Sequence, residues 1–115
     1  MTNDLRLRAA RTSEVERVRA IERVSASRFI GTARAALADD EPTDAATLAQ
    51  RVAAGGLLVA EQDGEVVAFV MFREVEGCGY IEQIRVAPTP ERRAIGARLI
   101  DAVGGVARAR GWPAL

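Results

Sequence analysis

The chain has 115 residues, 49% of them hydrophobic and 28% charged, with 16 cations balanced by 16 anions and no histidine. That length fits a single domain spanning residues 1–115, and the composition suits a packed core. Zero net charge argues against nucleic acid or an anionic membrane as the main partner. Every cation is arginine and the one cysteine is Cys78, which excludes histidine triads, histidine or multi-cysteine metal sites, Schiff-base lysines and an internal disulfide. Met1 to Arg8 shows no basic-then-apolar leader, and no apolar run approaches the roughly 18 residues of a membrane span. A cytoplasmic protein is expected.

Leu5, Leu7 and Ala9 alternate with Arg6 and Arg8, the pattern of a half-buried strand at a sheet edge. Ser13 to Glu16 has capping-box spacing, and Val15, Val18, Ile21 and Val24 recur behind it, so a helix is expected from Ser13 to about Ser27. Phe29 to Pro42 has no clean period and reads as a loop or a short second helix. Thr43 is the expected cap of a further helix that ends at Gly55-Gly56.

Leu57 to Ala60 reads as a short apolar strand, and Asp63-Gly64 as a hairpin turn. Val66 to Phe72 is apolar on both faces, as in the middle of a sheet covered on both sides. Glu76 to Gly79 reads as a second turn. Tyr80 to Val86 follows as a strand, with Tyr80, Glu82, Ile84 and Val86 on one face and Gln83 and Arg85 on the other. Thr89-Pro90 opens a long helix with Ile95, Leu99, Val103 and Val106 as its buried stripe, stopped by Gly111 and Pro113. Ala114 and Leu115 read as the start of one more strand beside Tyr80 to Val86, so the domain is expected to be incomplete at its C-terminus. The uncovered edge of that strand is a template for pairing with a second copy of the chain. The fold class expected is α+β: a mixed, mostly antiparallel sheet with helices on both faces.

The stretch from Ile84 to Ile100 holds the recognisable chemistry: a strand, a turn, and a helix that opens with two arginines and small residues. Backbone N–H groups at a helix N-terminus are unpaired, and the helix dipole adds positive charge, so such a turn suits a pyrophosphate. Ala94, Gly96 and Ala97 leave room for phosphates, and Arg92 and Arg93 supply countercharge.

Across essentially its whole length the chain resembles the GNAT N-acetyltransferase superfamily, whose central motif runs V-x-P, Q/R-x-x-G-x-G/A, then a leucine-rich helix. The residues that carry the likeness are Ile84 to Val86, Pro88, Arg92-Arg93, Ile95-Gly96 and Leu99-Ile100. The resemblance implies an acyl-CoA N-acyltransferase fold and acetyl-CoA as co-substrate, with no metal. It implies that main-chain groups of Ile84, Arg85 and Val86 pair with the pantetheine arm. The segment Glu91, Arg92, Arg93, Ala94, Ile95, Gly96 and Ala97 would then hold the pyrophosphate. Two residues depart from the pattern. Glu91 puts a carboxylate beside the pyrophosphate, and Ala94 adds a methyl where the family has glycine.

Acetyl transfer to an amine needs a group to take the ammonium proton, usually through water, and an acid for the departing thiolate. Glu82, two residues before the pantetheine-pairing stretch, is the candidate base; the alternative is a salt-bridged strand residue. No candidate acid is present, and Tyr80 is expected to pack. The function implied is acetylation of a primary amine on a small molecule or peptide. The alternatives are a non-catalytic acyl-CoA-binding module, an inactive fragment of such an enzyme, and a plain structural α/β domain with no ligand.

Overall fold

In the computed structural model, which describes residues 5–27, 43–88 and 92–112 (residues 25–27 by backbone alone), the alternation at the start of the chain forms β1, Leu5–Ala9. One 3-10 turn, Thr12–Glu14, leads into α1, Val15–Ser27. Then come α2, Ala45–Ala54, and β2, Leu57–Gln62. β3, Glu65–Val75, β4, Cys78–Val86, and α3, Arg92–Ala109, complete the order. The sheet runs β1-β2-β3-β4, and every ladder among the described residues is antiparallel. β1 lies at the edge, as expected.

Both hairpins turn on two residues with positive φ. Asp63 and Gly64 stand at 53° and 85°, and Glu76 and Gly77 at 52° and 85°. Positive φ at both central positions is the type I′ geometry, whose twist matches that of the flanking strands. The second turn is therefore shorter than the expected Glu76 to Gly79, and Cys78 and Gly79 already belong to β4. The Gly77 N–H donates to the Glu74 carboxylate at 2.6 Å, which pins that turn.

Two caps sit one residue or more away from where the sequence places them. At the first helix, the backbone N–H of Arg11 donates to Glu14 at 2.9 Å, so Glu14 closes the entry instead of Glu16. Glu14 is held there because Arg8 donates to both its oxygens, through Nη1 at 2.9 Å and Nη2 at 2.7 Å. Glu16 pairs with Arg19 instead. At α2 the cap is Asp44, which accepts from Thr47 N–H at 2.7 Å, and Thr43 is occupied elsewhere. α2 ends as expected on Gly55, left-handed at φ 73°. Gly56 then lies so close to β3 that a Cβ there would run into the Phe72 carbonyl. Its own carbonyl accepts from Phe72 N–H at 2.9 Å.

The sheet separates two apolar layers. Val15, Val18 and Ile21 of α1 and Leu48 of α2 pack with Leu57, Val59, Val66, Phe69 and Met71 on one face. Ile95, Leu99 and Val103 of α3 pack with Ala60, Ala68, Val70 and Phe72 on the other. Helices thus cover both faces, and β3 feeds both layers, which accounts for its unbroken apolar run. Each fully buried Phe, Leu or Ile contributes about 1.5–3 kcal/mol of transfer free energy. The α1 stripe turns toward Glu22 and leaves Val24 47% exposed. No helix among the described residues is long and apolar enough to cross a membrane.

Candidate active site

β4 is bordered by one strand, β3, among the described residues, so its other edge faces away from the sheet. The Ala87 N–H donates to Val67 O at 2.8 Å, and Arg85 pairs with Phe69 in the same register. In an antiparallel ladder the residues between such pairs turn their N–H and C=O the other way. Those residues are Ile84 and Val86, whose main-chain groups therefore point to the outer edge. Their side chains pack toward Ile95 and Leu99 of α3. This ordering brings the first turn of α3 alongside the end of β4.

Gly96 stands at that junction. Among the described residues, a Cβ built on it would meet nothing nearer than Val86 Cγ2, at 3.9 Å, so the space beside it is open. Ile95 is a core residue, 1% exposed, which leaves its main chain as the part available to a ligand. Arg92, Arg93, Ala94 and Ala97 are exposed, and no acidic residue lies in the first turn of the helix. An outward-facing strand edge, a helix N-terminus and an open glycine suit a pantetheine arm and a pyrophosphate. Glu91 and the Thr89-Pro90 helix start lie outside the described residues, as do Phe29 to Pro42 and Pro113 to Leu115.

Glu82 is not on the face expected of it. Met71 pairs with Gln83, but the next residue of β3, Phe72, pairs with Ile81, so Glu82 is an extra residue in β4. This β-bulge breaks the alternation. Ile81 joins Ile84 and Val86 beneath α3, whereas Glu82 joins Gln83 beneath α1 and α2. There Arg51 of α2 donates to it through Nε at 2.7 Å and Nη2 at 3.0 Å, and Arg73 through Nε at 3.1 Å. The hydrogen bonds from Arg51 hold the Glu82 carboxyl below the usual range, Arg73 adding to them and burial opposing. The Arg51 guanidinium is held correspondingly above its ordinary value.

The neighbouring residues extend this polar face. Tyr80 does not pack in the core; it is 53% exposed, with the Arg73 guanidinium 5.9 Å from its ring centre. Gln83 donates to Thr43 Oγ1 at 2.9 Å, and the Glu22 carboxylate accepts from Thr43 N–H at 3.0 and 3.1 Å. Sequence reasoning missed Glu22, Arg51 and Thr43. One signal was available for Glu22. It stands four residues after Val18 and seven after Val15, a core-facing helical position at which a carboxylate needs a partner. Cys78 is half-buried with a free thiol.

The family model described as "Acetyltransferase (GNAT) family" matches residues 16–114. Among solved structures, Rv2747 from Mycobacterium tuberculosis, in complex with CoA and NLQ, is similar at 24% identity and a TM-score of 0.69. The alignment covers 90% of this chain and 58% of that one. The PaiA N-acetyltransferase from Thermoplasma acidophilum, in complex with coenzyme A, matches at 11% identity and a TM-score of 0.78, over 95% of this chain and 75% of its own. The ribosomal-protein-S18-alanine N-acetyltransferase from Escherichia coli matches at 18% identity and 0.67, over 94% and 62%. This chain therefore spans less than two thirds of the length of the first and third of these. No curated protein sequence matches it.

Proposed function

This chain belongs to the acetyltransferase (GNAT) family, and on that premise we propose that it binds acetyl-CoA and transfers the acetyl group to a primary amine of a small molecule or peptide, in the cytoplasm. The observation that carries the reading is the meeting of the outward main-chain groups of Ile84 and Val86 with the first turn of α3 at Gly96. When bound, the coenzyme supplies a thioester, an acetyl carbon open to attack by a neutral amine. Ile84 and Val86 donate and accept along the pantetheine amides. The N–H groups at the start of α3, with Arg92 and Arg93, neutralise the pyrophosphate.

Glu82 is the group we assign to take the ammonium proton through water. Its two arginines keep it ionised, hence able to receive that proton, but they also lower its basicity. This same observation favours a second reading, a non-catalytic acyl-CoA-binding module in which Glu82 only ties α2 to β4. Titration with coenzyme A, followed by an acetylation assay over a panel of amines, separates the two. Binding with turnover supports the enzyme, and binding without turnover supports the module.

A further inference from the structure

The sheet face beneath α1 and α2 holds a line of polar contacts that the coenzyme cleft does not use. It starts at Glu22, 8% exposed on α1, whose carboxylate accepts from the N–H and the hydroxyl of Thr43, the latter at 3.2 Å. Thr43 Oγ1 accepts from Gln83 Nε2 at 2.9 Å, which turns the Gln83 Oε1 toward Arg85. Arg85 Nε donates to that oxygen at 3.0 Å. A buried carboxylate on one helix thus fixes, through two side chains, the orientation of a half-buried guanidinium on β4.

Among the described residues, only one N–H of that guanidinium is used, and the terminal nitrogens Nη1 and Nη2 of Arg85 have no hydrogen bond or ion pair. The acids of this polar face are, among the described residues, already engaged, Glu82 by Arg51 and Arg73 and Glu22 by Thr43. An oriented guanidinium with an open fork matches the two oxygens of a carboxylate, and its partial burial strengthens such a pair. The coenzyme's phosphates are not the complement, because α3 and its first turn lie on the opposite face of the sheet.

We propose that Arg85 is a specificity-determining residue that grips a carboxylate of the acceptor, so that the preferred acceptors are amines of the amino-acid class. The inference rests on the acetyl-transfer reading and names the substrate class of that same site. The test measures binding of α- and ω-amino acids, and of the same compounds as carboxamides, to the coenzyme-A-saturated full chain by calorimetry. The unsubstituted protein should bind acids at least about tenfold more tightly than amides, the range expected of a charge-assisted pair. R85A should abolish that preference, and R85K should retain part of it, since an ammonium keeps the charge and loses the fork. Should R85A fail to fold, Gln83→Met frees the guanidinium from its orientation and should reduce the preference. Equal binding of acids and amides, a preference that survives in R85A, or no binding of any acid overturns the proposal. If coenzyme A itself gives no melting shift in the unsubstituted protein, the acetyl-transfer reading is what fails. A shift without acid preference removes only this inference.

Discussion

Arg51 and Glu82, 31 residues apart in sequence, meet edge to edge with Nε–Oε1 at 2.7 Å and Nη2–Oε2 at 3.0 Å. The pair joins the last turn of α2 to the bulge of β4 and holds the Glu82 carboxyl low. R51Q removes the largest cause of that depression, so the Glu82 pKa should rise toward its ordinary value. If Glu82 takes the substrate proton, the acid limb of kcat/KM moves to higher pH in R51Q. A limb that stays in place, together with a stability loss of about 1–3 kcal/mol, would assign the pair to structure alone.

Coenzyme A at 100 times its dissociation constant should stabilise the fold by about 2.7 kcal/mol. For a domain of this size that is a melting shift on the order of 10 °C. Millimolar coenzyme A that leaves the melting temperature unchanged would remove the cleft between β4 and α3 as a coenzyme site.

Gly96→Val should abolish coenzyme binding and leave the free protein folded. The Cβ is accommodated 3.9 Å from Val86 Cγ2, but the two further methyls fill the open space. Valine is also a slightly better helix former than glycine, so the free protein should melt no lower. Ala94→Gly, at an exposed position in the first turns of α3, should cost up to about 1 kcal/mol of stability and leave binding equal or tighter. Weaker binding in Ala94→Gly by calorimetry would show that the pyrophosphate sits elsewhere.

Gly56→Ala should destabilise the fold by at least about 2 kcal/mol, because the new methyl has the Phe72 carbonyl in its path and backbone cannot step aside. Urea unfolding should show a lower midpoint at unchanged slope. A midpoint equal to that of the unsubstituted chain would mean that the link between α2 and β2 does not approach β3 so closely in solution.

Acid should release the contact between β1 and the entry of α1. The hydrogen bonds from Arg8 lower the Glu14 pKa from its ordinary 4.5 to about 2. A depressed carboxylate contributes stability that is present above the unfolded value and is lost as pH falls toward the folded one. Between pH 4.5 and about 2 this group therefore gives up at most about 3 kcal/mol. In Glu14→Gln that segment of the stability–pH curve should flatten; an unchanged slope there would place the acid sensitivity in other carboxylates.

The elements and their order were legible because each rests on short-range chemistry. Asp63-Gly64 dictates a hairpin, Gly55 a left-handed cap, and the apolar run from Val66 to Phe72 a strand covered on both sides. What the sequence hides is competition between neighbours. Glu16 and Thr43 suit capping roles by type, yet Glu14 and Asp44 take those roles once Arg8 and Glu22 fix the surrounding chain. The strand ending at Val86 and the apolar stripe of the helix behind Gly96 were readable from short-range pattern. The opposite face of β4 was not, because straight alternation puts Glu82 beside Ile84, and only pairing with Met71 and Phe72 reveals the extra residue.

That extra residue has a bearing on how the strand can change over generations. Removing Glu82 leaves Ile81, Gln83 and Ile84 in strict alternation, each on the side it already occupies, and Met71 and Phe72 still opposite their present partners. Loss of that one codon would therefore spare the parity of β4, whereas loss of a codon between Gln83 and Val86 would invert every side chain on one side of the gap. The carboxylate that Arg51 and Arg73 hold is thus a detachable unit, one that a lineage could drop or regain while both layers of the core stay as they are.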